Sequence, residues 1–241
     1  MINECRYEMF QKDINYLFPT VFLAGPTVRG NQPHLTSWRG ACIEEFHKQG
    51  FSGNLIIPEF ENPLESDAPR MDLPVWEFDG LIYSHCNLFW VPRTKELIGL
   101  TTNHELGYWM GRRRDKVVYG RPKDAYRTSY LDIMWVEDYK ERTGKNTGVV
   151  IHTNLKTLIE AAIELAEKNW KLEHPDIELA DKSEKLIFRS RSIGDDCPNS
   201  APDVVWPPNE LIKESDCSNF RTAYWSQRLR STNEHEELVN T

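Results

Sequence analysis

"GLTTNHELGYWMGRRRDKVVYG", Gly99–Gly120, reads as a helix that runs directly into a strand. The segment 102–114 mixes polar and apolar residues at helical spacing. It closes on Arg112, Arg113 and Arg114, cations that suit a helix C-terminus. The next residues, "KVVYG" (116–120), are β-branched and aromatic and end on glycine, as short buried strands do. The same punctuation recurs outward from this stretch. "TVFLAG" (20–25), "NLIIPE" (54–59), "NLFWVP" (87–92) and "GVVIH" (148–152) read as further buried strands. Helix candidates lie between them at 37–49, behind the cap Ser37, and at 74–84 and 154–169. The last places Leu155, Leu158, Ile159, Ala162, Ile163 and Ala166 on one face. Such alternation predicts an α/β fold: a small doubly wound, flavodoxin- or Rossmann-like sheet of five parallel strands with helices on both faces.

The texture changes near residue 171. From there to 241 the chain is rich in Pro, Ser, Asn and Asp and has few periodic segments. Trp206, Phe220, Tyr224 and Trp225 predict that parts of it are ordered and packed. The expected organisation is one α/β domain over 1–170 and an irregular, partly ordered extension over 171–241.

Composition narrows the function. A formal net charge of −8 over 241 residues disfavours general nucleic-acid binding, which wants a basic surface. The cysteines at 5, 42, 86, 197 and 217 are odd in number and widely spaced, without a CxxC pair. A reducing cytoplasm is the simplest setting. No apolar run approaches the roughly 20 residues of a membrane span, and no signal-peptide core opens the chain.

Ligands of open α/β sheets bind beyond the carboxyl ends of the strands. After the first strand, Gly25 and Pro26 permit a tight turn with close backbone approach. Arg29 and Arg39 flank that loop, either as phosphate partners or as surface cations. The pattern is neither G-x-G-x-x-G nor a Walker sequence. The long acidic loop "EFENPLESDAPRMD" follows the second strand and has the length of a lid or binding segment. "LPVWEFDG" then supplies Trp76, Glu77 and Asp79, whose carboxylates either complement the helix dipole or face a ligand. In "TTNHELG", Thr102 or Asn103 is the expected cap, with Glu105 in the first turn. Thr102 and Glu105 match the S/T-x-x-E capping box, which competes with a chemical role for the glutamate. "HELGY" begins like H-E-x-x-H, but Tyr108 stands at the second histidine position and a zinc site fails on ligand count. No metal or cofactor is expected.

Three pieces, "VFLAGP", "WEFDGL…NLFWVP" and "TTNHELGYWMG", together resemble the nucleoside 2-deoxyribosyltransferase family and its nucleotide N-glycosidase relatives, over roughly residues 20–165. The resemblance implies cleavage or exchange of the N-glycosidic bond of a (2-deoxy)nucleoside or its 5′-monophosphate. Glu105 would be the nucleophile at the anomeric carbon, and Asp79 would match the acid that handles protonation of the base. Phe22, Gly25, Pro26, Arg39, Trp76, Glu77, Thr102 and Asn103 are the candidate substrate contacts, with Trp76 favoured over Trp90 and Trp109 for stacking on the base. The family's additional sugar-binding Asp has no counterpart, since Gly99 stands about where it is expected; Thr101, Thr102 or Asn103 is left to hold the sugar hydroxyls. The resemblance also implies a homo-oligomer whose sites are completed by a neighbour, with the connector 121–146 near the contact.

The chemistry is coherent by itself. N-glycosidic cleavage builds oxocarbenium-like charge that a carboxylate beneath the sugar can stabilise and trap. The departing base needs a proton, hence a second carboxyl group. Two other readings stay open: an NAD glycohydrolase using a Glu in the same way, and a non-catalytic nucleotide-sensing module.

Overall fold

The computed structural model describes residues 1–177 apart from 8, 10–13, 30–31, 33 and 62–72. The expectations for the extension 171–241 lie outside the described residues beyond position 177. Five parallel strands form one sheet: β1 (Ile2–Cys5), β2 (Thr20–Ala24), β3 (Gly53–Ile56), β4 (Cys86–Trp90) and β5 (Val117–Gly120), in the order β1-β3-β2-β4-β5. The helices are α1 (Trp38–Lys48), α2 (Leu73–Tyr83), α3 (Leu100–Arg113), α4 (Ser129–Thr143) and α5 (Leu155–Glu173). This is the doubly wound α/β sheet that the alternation predicted.

The membership of the sheet departs from expectation at both edges. Residues 148–152 are not a strand; only His152 bridges Gly120. The fifth strand is instead β1, "INEC", paired with β3 through Ile2–Gly53 to Cys5–Ile56. As a polar edge strand it carries little of the apolar signal that marks buried strands. The connector after β5 also contains an unforeseen helix, α4. It buries only Leu131 and Trp135 and leaves Tyr130, Ile133 and Met134 exposed, so it lacks a clean apolar stripe.

Period-two alternation on β2 sends Val21 and Leu23 to one face and Phe22 and Ala24 to the other, building two cores. Trp38, Cys42 and Phe46 of α1 pack with Leu158, Ile159, Ala162 and Ala166 of α5 on the first face. On the second lie Trp76 and Leu81 of α2, Leu106, Trp109 and Met110 of α3, and Leu131 and Trp135 of α4. Right-handed crossovers force this split. The chain winds from β2 outward to β3, then crosses back over β2 to β4, so α1 falls on one face and α2, followed by α3, on the other. The order reverses between β2 and β4, and the loops leaving their carboxyl ends diverge there. Among the described residues, no helix is long and apolar enough to cross a membrane.

Candidate active site

Two loops meet at the reversal point. Gly25 follows β2 so closely against β4 that an added Cβ would stand 2.2 Å from the Trp90 carbonyl oxygen. Gly99, with φ at +60°, ends the loop after β4, and a Cβ there would come within 2.6 Å of Pro26 Cγ. Both positions need glycine for space, and Gly99 needs it for its left-handed backbone as well. The sugar-binding Asp of the resembled family cannot occupy this position without displacing Pro26. Gly99→Asp is therefore expected to lower stability by about 1–3 kcal/mol rather than to supply a missing acid. Chemical denaturation gives the loss, and unchanged stability would show that the loop contact is slack.

Gly99 is also the N-cap of α3, without a side-chain cap hydrogen bond. The helix begins at Leu100, earlier than expected, so neither Thr102 nor Asn103 caps it, and no acidic residue lies in its first turn. Glu105 is past that turn, and the capping-box reading fails. Thr102 is buried, and the Asn103 side-chain oxygen accepts a hydrogen bond from Arg93 Nη2. Thr101, four residues before Glu105 and on the same helix face, carries an exposed hydroxyl.

The groups around Glu105 come from α1, α2 and the segment after β1. Burial raises the pKa of Glu105 to about 7, the negative charge of Glu77 on α2 adds to the rise, and Arg39 on α1 opposes it. Burial likewise pushes Glu77 upward, against a hydrogen bond donated by the Tyr7 hydroxyl and the charge of Arg39. Tyr7 follows β1 and holds its proton firmly, first through burial and then through Glu77. Its ring packs 4.9 Å from both Phe60 and Trp76, which fixes the hydroxyl against Glu77. Tyr7 could not be found from the sequence because the strand that delivers it was not recognised.

Arg39 is no phosphate partner. Its side chain is 1% exposed, with Nε donating to the Leu23 carbonyl at 3.0 Å and Nη2 to the Gly25 carbonyl at 3.0 Å. Nη1 donates to Thr27 Oγ1 at 3.2 Å and to Glu59 Oε1 at 2.7 Å. Ser37, the N-cap of α1, also donates to both Glu59 oxygens. The guanidinium thus ties the turn after β2 to the segment after β3, and its charge is matched by Glu59. Arg29 is exposed at the rim.

The remaining expected contacts are divided. Gly25 and Pro26 form the turn beside α3, where Pro26 also accepts from the Trp38 indole at 3.0 Å. Phe22 and Trp76 are core residues beneath the site; Trp76 donates from its indole to the Met9 carbonyl at 2.8 Å and sits edge-on to Tyr7. Trp90 and Trp109 are buried too. Asp79 is two residues past Glu77, about 200° around the helix, and its charge acts on the Tyr16 hydroxyl. The carboxylate that reaches Glu105 from α2 is that of Glu77.

Two half-buried carboxylates with raised pKa values therefore converge at the reversal point, while the nearby cation is neutralised by a third. Like charges at short range do not ionise independently, so such a pair holds a proton into the neutral range. The excess charge of the site is negative, which favours positive charge developing on a bound molecule. No protein-family model matches this chain, and no curated protein matches it at a significant level.

Proposed function

We propose that this protein cleaves or exchanges the N-glycosidic bond of a nucleoside or nucleoside 5′-monophosphate, with Glu105 as nucleophile and Glu77 as the proton donor to the base. The observation that carries the reading is the Glu77–Glu105 pair at the carboxyl end of the sheet, both with pKa values raised by burial and that of Glu105 raised further by the charge of Glu77. In the first step a Glu105 oxygen bonds to the anomeric carbon, and the C–N bond breaks with its electron pair going to the base nitrogen. That nitrogen takes the proton held by Glu77. Water or a second base then attacks the same carbon, Glu105 leaves as carboxylate, and the proton lost by the acceptor returns to Glu77. Developing positive charge on the sugar is stabilised by ionised Glu105 more strongly in the transition state than in the ground state, as catalysis requires. The Tyr7 hydroxyl positions Glu77.

The proposal includes a homo-oligomer, supported by the exposed Tyr130, Ile133 and Met134 of α4 in the connector the sequence marked for that contact. A reducing, cytoplasmic setting is supported by the free buried thiols of Cys5, Cys42 and Cys86. Incubating the protein with pooled nucleosides and nucleoside monophosphates is expected to release free base, detected by mass analysis. Pools returned intact, with no base exchanged between labelled partners, would leave the nucleotide-sensing alternative.

A further inference from the structure

At the opposite, amino end of the strands lies a concavity of about 400 Å³, in the range of small-molecule sites. It is walled by Tyr16 and Tyr83, whose rings are 5.5 Å apart, and by His85 and His174, 6.1 Å apart edge to face. Its floor is cationic. Lys116, just ahead of β5, is 5% exposed and donates to the Ser84 carbonyl at 3.0 Å and the Ile82 carbonyl at 3.5 Å, at the end of α2. His85, 1% exposed, accepts the Thr20 backbone N–H at Nδ1, so its proton is on Nε2. Asn169 of α5 donates to the His85 and Asp115 carbonyls at 2.8 and 3.0 Å, and Trp170 to the Leu17 carbonyl at 2.8 Å, fixing the wall.

The Lys116 ammonium and the His85 Nε2–H face one carboxylate, that of Glu173. Its oxygens are 3.5 Å from each, long for a charge-assisted hydrogen bond, and its side chain is 47% exposed on the final residue of α5. A rigid, buried pair of donors is thus met loosely by a half-exposed acid at a helix end, beside four rings and open volume.

We propose that this groove is a second ligand site for a small ring-bearing carboxylate, whose anionic group displaces Glu173 from Lys116 and His85 while its ring lies among Tyr16, Tyr83 and His174. The site is independent of the Glu105 chemistry and lies at the other end of the sheet. A structural salt bridge and a ligand site respond oppositely to loss of the Glu173 charge. In the first case Glu173→Gln only weakens the contact; in the second it removes a competitor.

Calorimetric titration of the full chain with benzoate, benzamide and inorganic phosphate separates these outcomes. Benzoate is expected to bind about tenfold more tightly than either benzamide, which lacks the charge, or phosphate, which lacks the ring. Glu173→Gln should tighten benzoate binding by about tenfold without changing turnover at Glu105, and Lys116→Met should abolish binding. Glu173→Gln is on the surface and keeps the test valid if Lys116→Met fails to fold. Benzoate affinity unchanged or weakened by Glu173→Gln, or benzamide or phosphate binding as tightly as benzoate, would overturn the proposal.

Discussion

Glu105→Gln is expected to reduce base release by about 10³-fold or more and, above neutral pH, to yield a protein more stable than the wild type. Both effects come from the same burial. An unfolded glutamate titrates near pH ~4.3, whereas burial and Glu77 hold the folded group up to about 7. Between these values the folded state keeps a proton that the unfolded chain has already lost. The associated stability is fully present below pH ~4.3 and is lost as pH rises through 7. Above that point the ionised carboxylate costs the wild type on the order of 3–4 kcal/mol, which a neutral Gln of the same shape does not. Urea denaturation should show the variant's advantage at pH 8 and its disappearance at pH 4. An unchanged difference between the two pH values would remove the buried-carboxylate account. Near wild-type turnover at saturating substrate would remove the nucleophile.

What the sequence disclosed depended on how local each signal was. α5 was readable because Leu158, Ile159, Ala162 and Ala166 form a single buried stripe, and α1 because the Ser37 hydroxyl caps it by accepting the Arg39 N–H. "GVVIH" has the composition of a strand, yet Gly148 adopts φ of +98° and the segment is drawn into the approach to α5, leaving one bridge. β1 is a strand through its register with β3, a relation no window of its own residues contains. Tyr7 was hidden with it. Glu105 was singled out through its motif and Glu77 as a candidate substrate contact, but the charge of Glu77 acting on Glu105 was not legible. Glu77 and Asp79 share one helix, and only the packing of α2 against the sheet decides which of the two meets α3. Arg39 had the residue type of a phosphate ligand, and tertiary contacts with Glu59 and three backbone or hydroxyl oxygens made it a strut.

Glu77→Gln compared with Asp79→Asn decides which carboxyl serves the base. The glutamine still accepts from Tyr7, so the packing of α2 is kept while the proton donor and its charge are removed. For a substrate with a poor leaving group the rate should fall by about 10²–10⁴-fold, and an activated leaving group should be largely spared because it departs without a proton. A second readout follows from the electrostatics. The charge of Glu77 is one cause of the raised pKa of Glu105, so its loss lets Glu105 ionise at lower pH. The acid limb of the kcat/KM profile should move down the pH scale. Asp79→Asn, on the side of α2 that acts on Tyr16, should change neither the leaving-group dependence nor that limb. The opposite pattern, with a leaving-group-dependent loss and a displaced limb in Asp79→Asn alone, would return the acid role to Asp79 and require α2 to rotate when substrate binds.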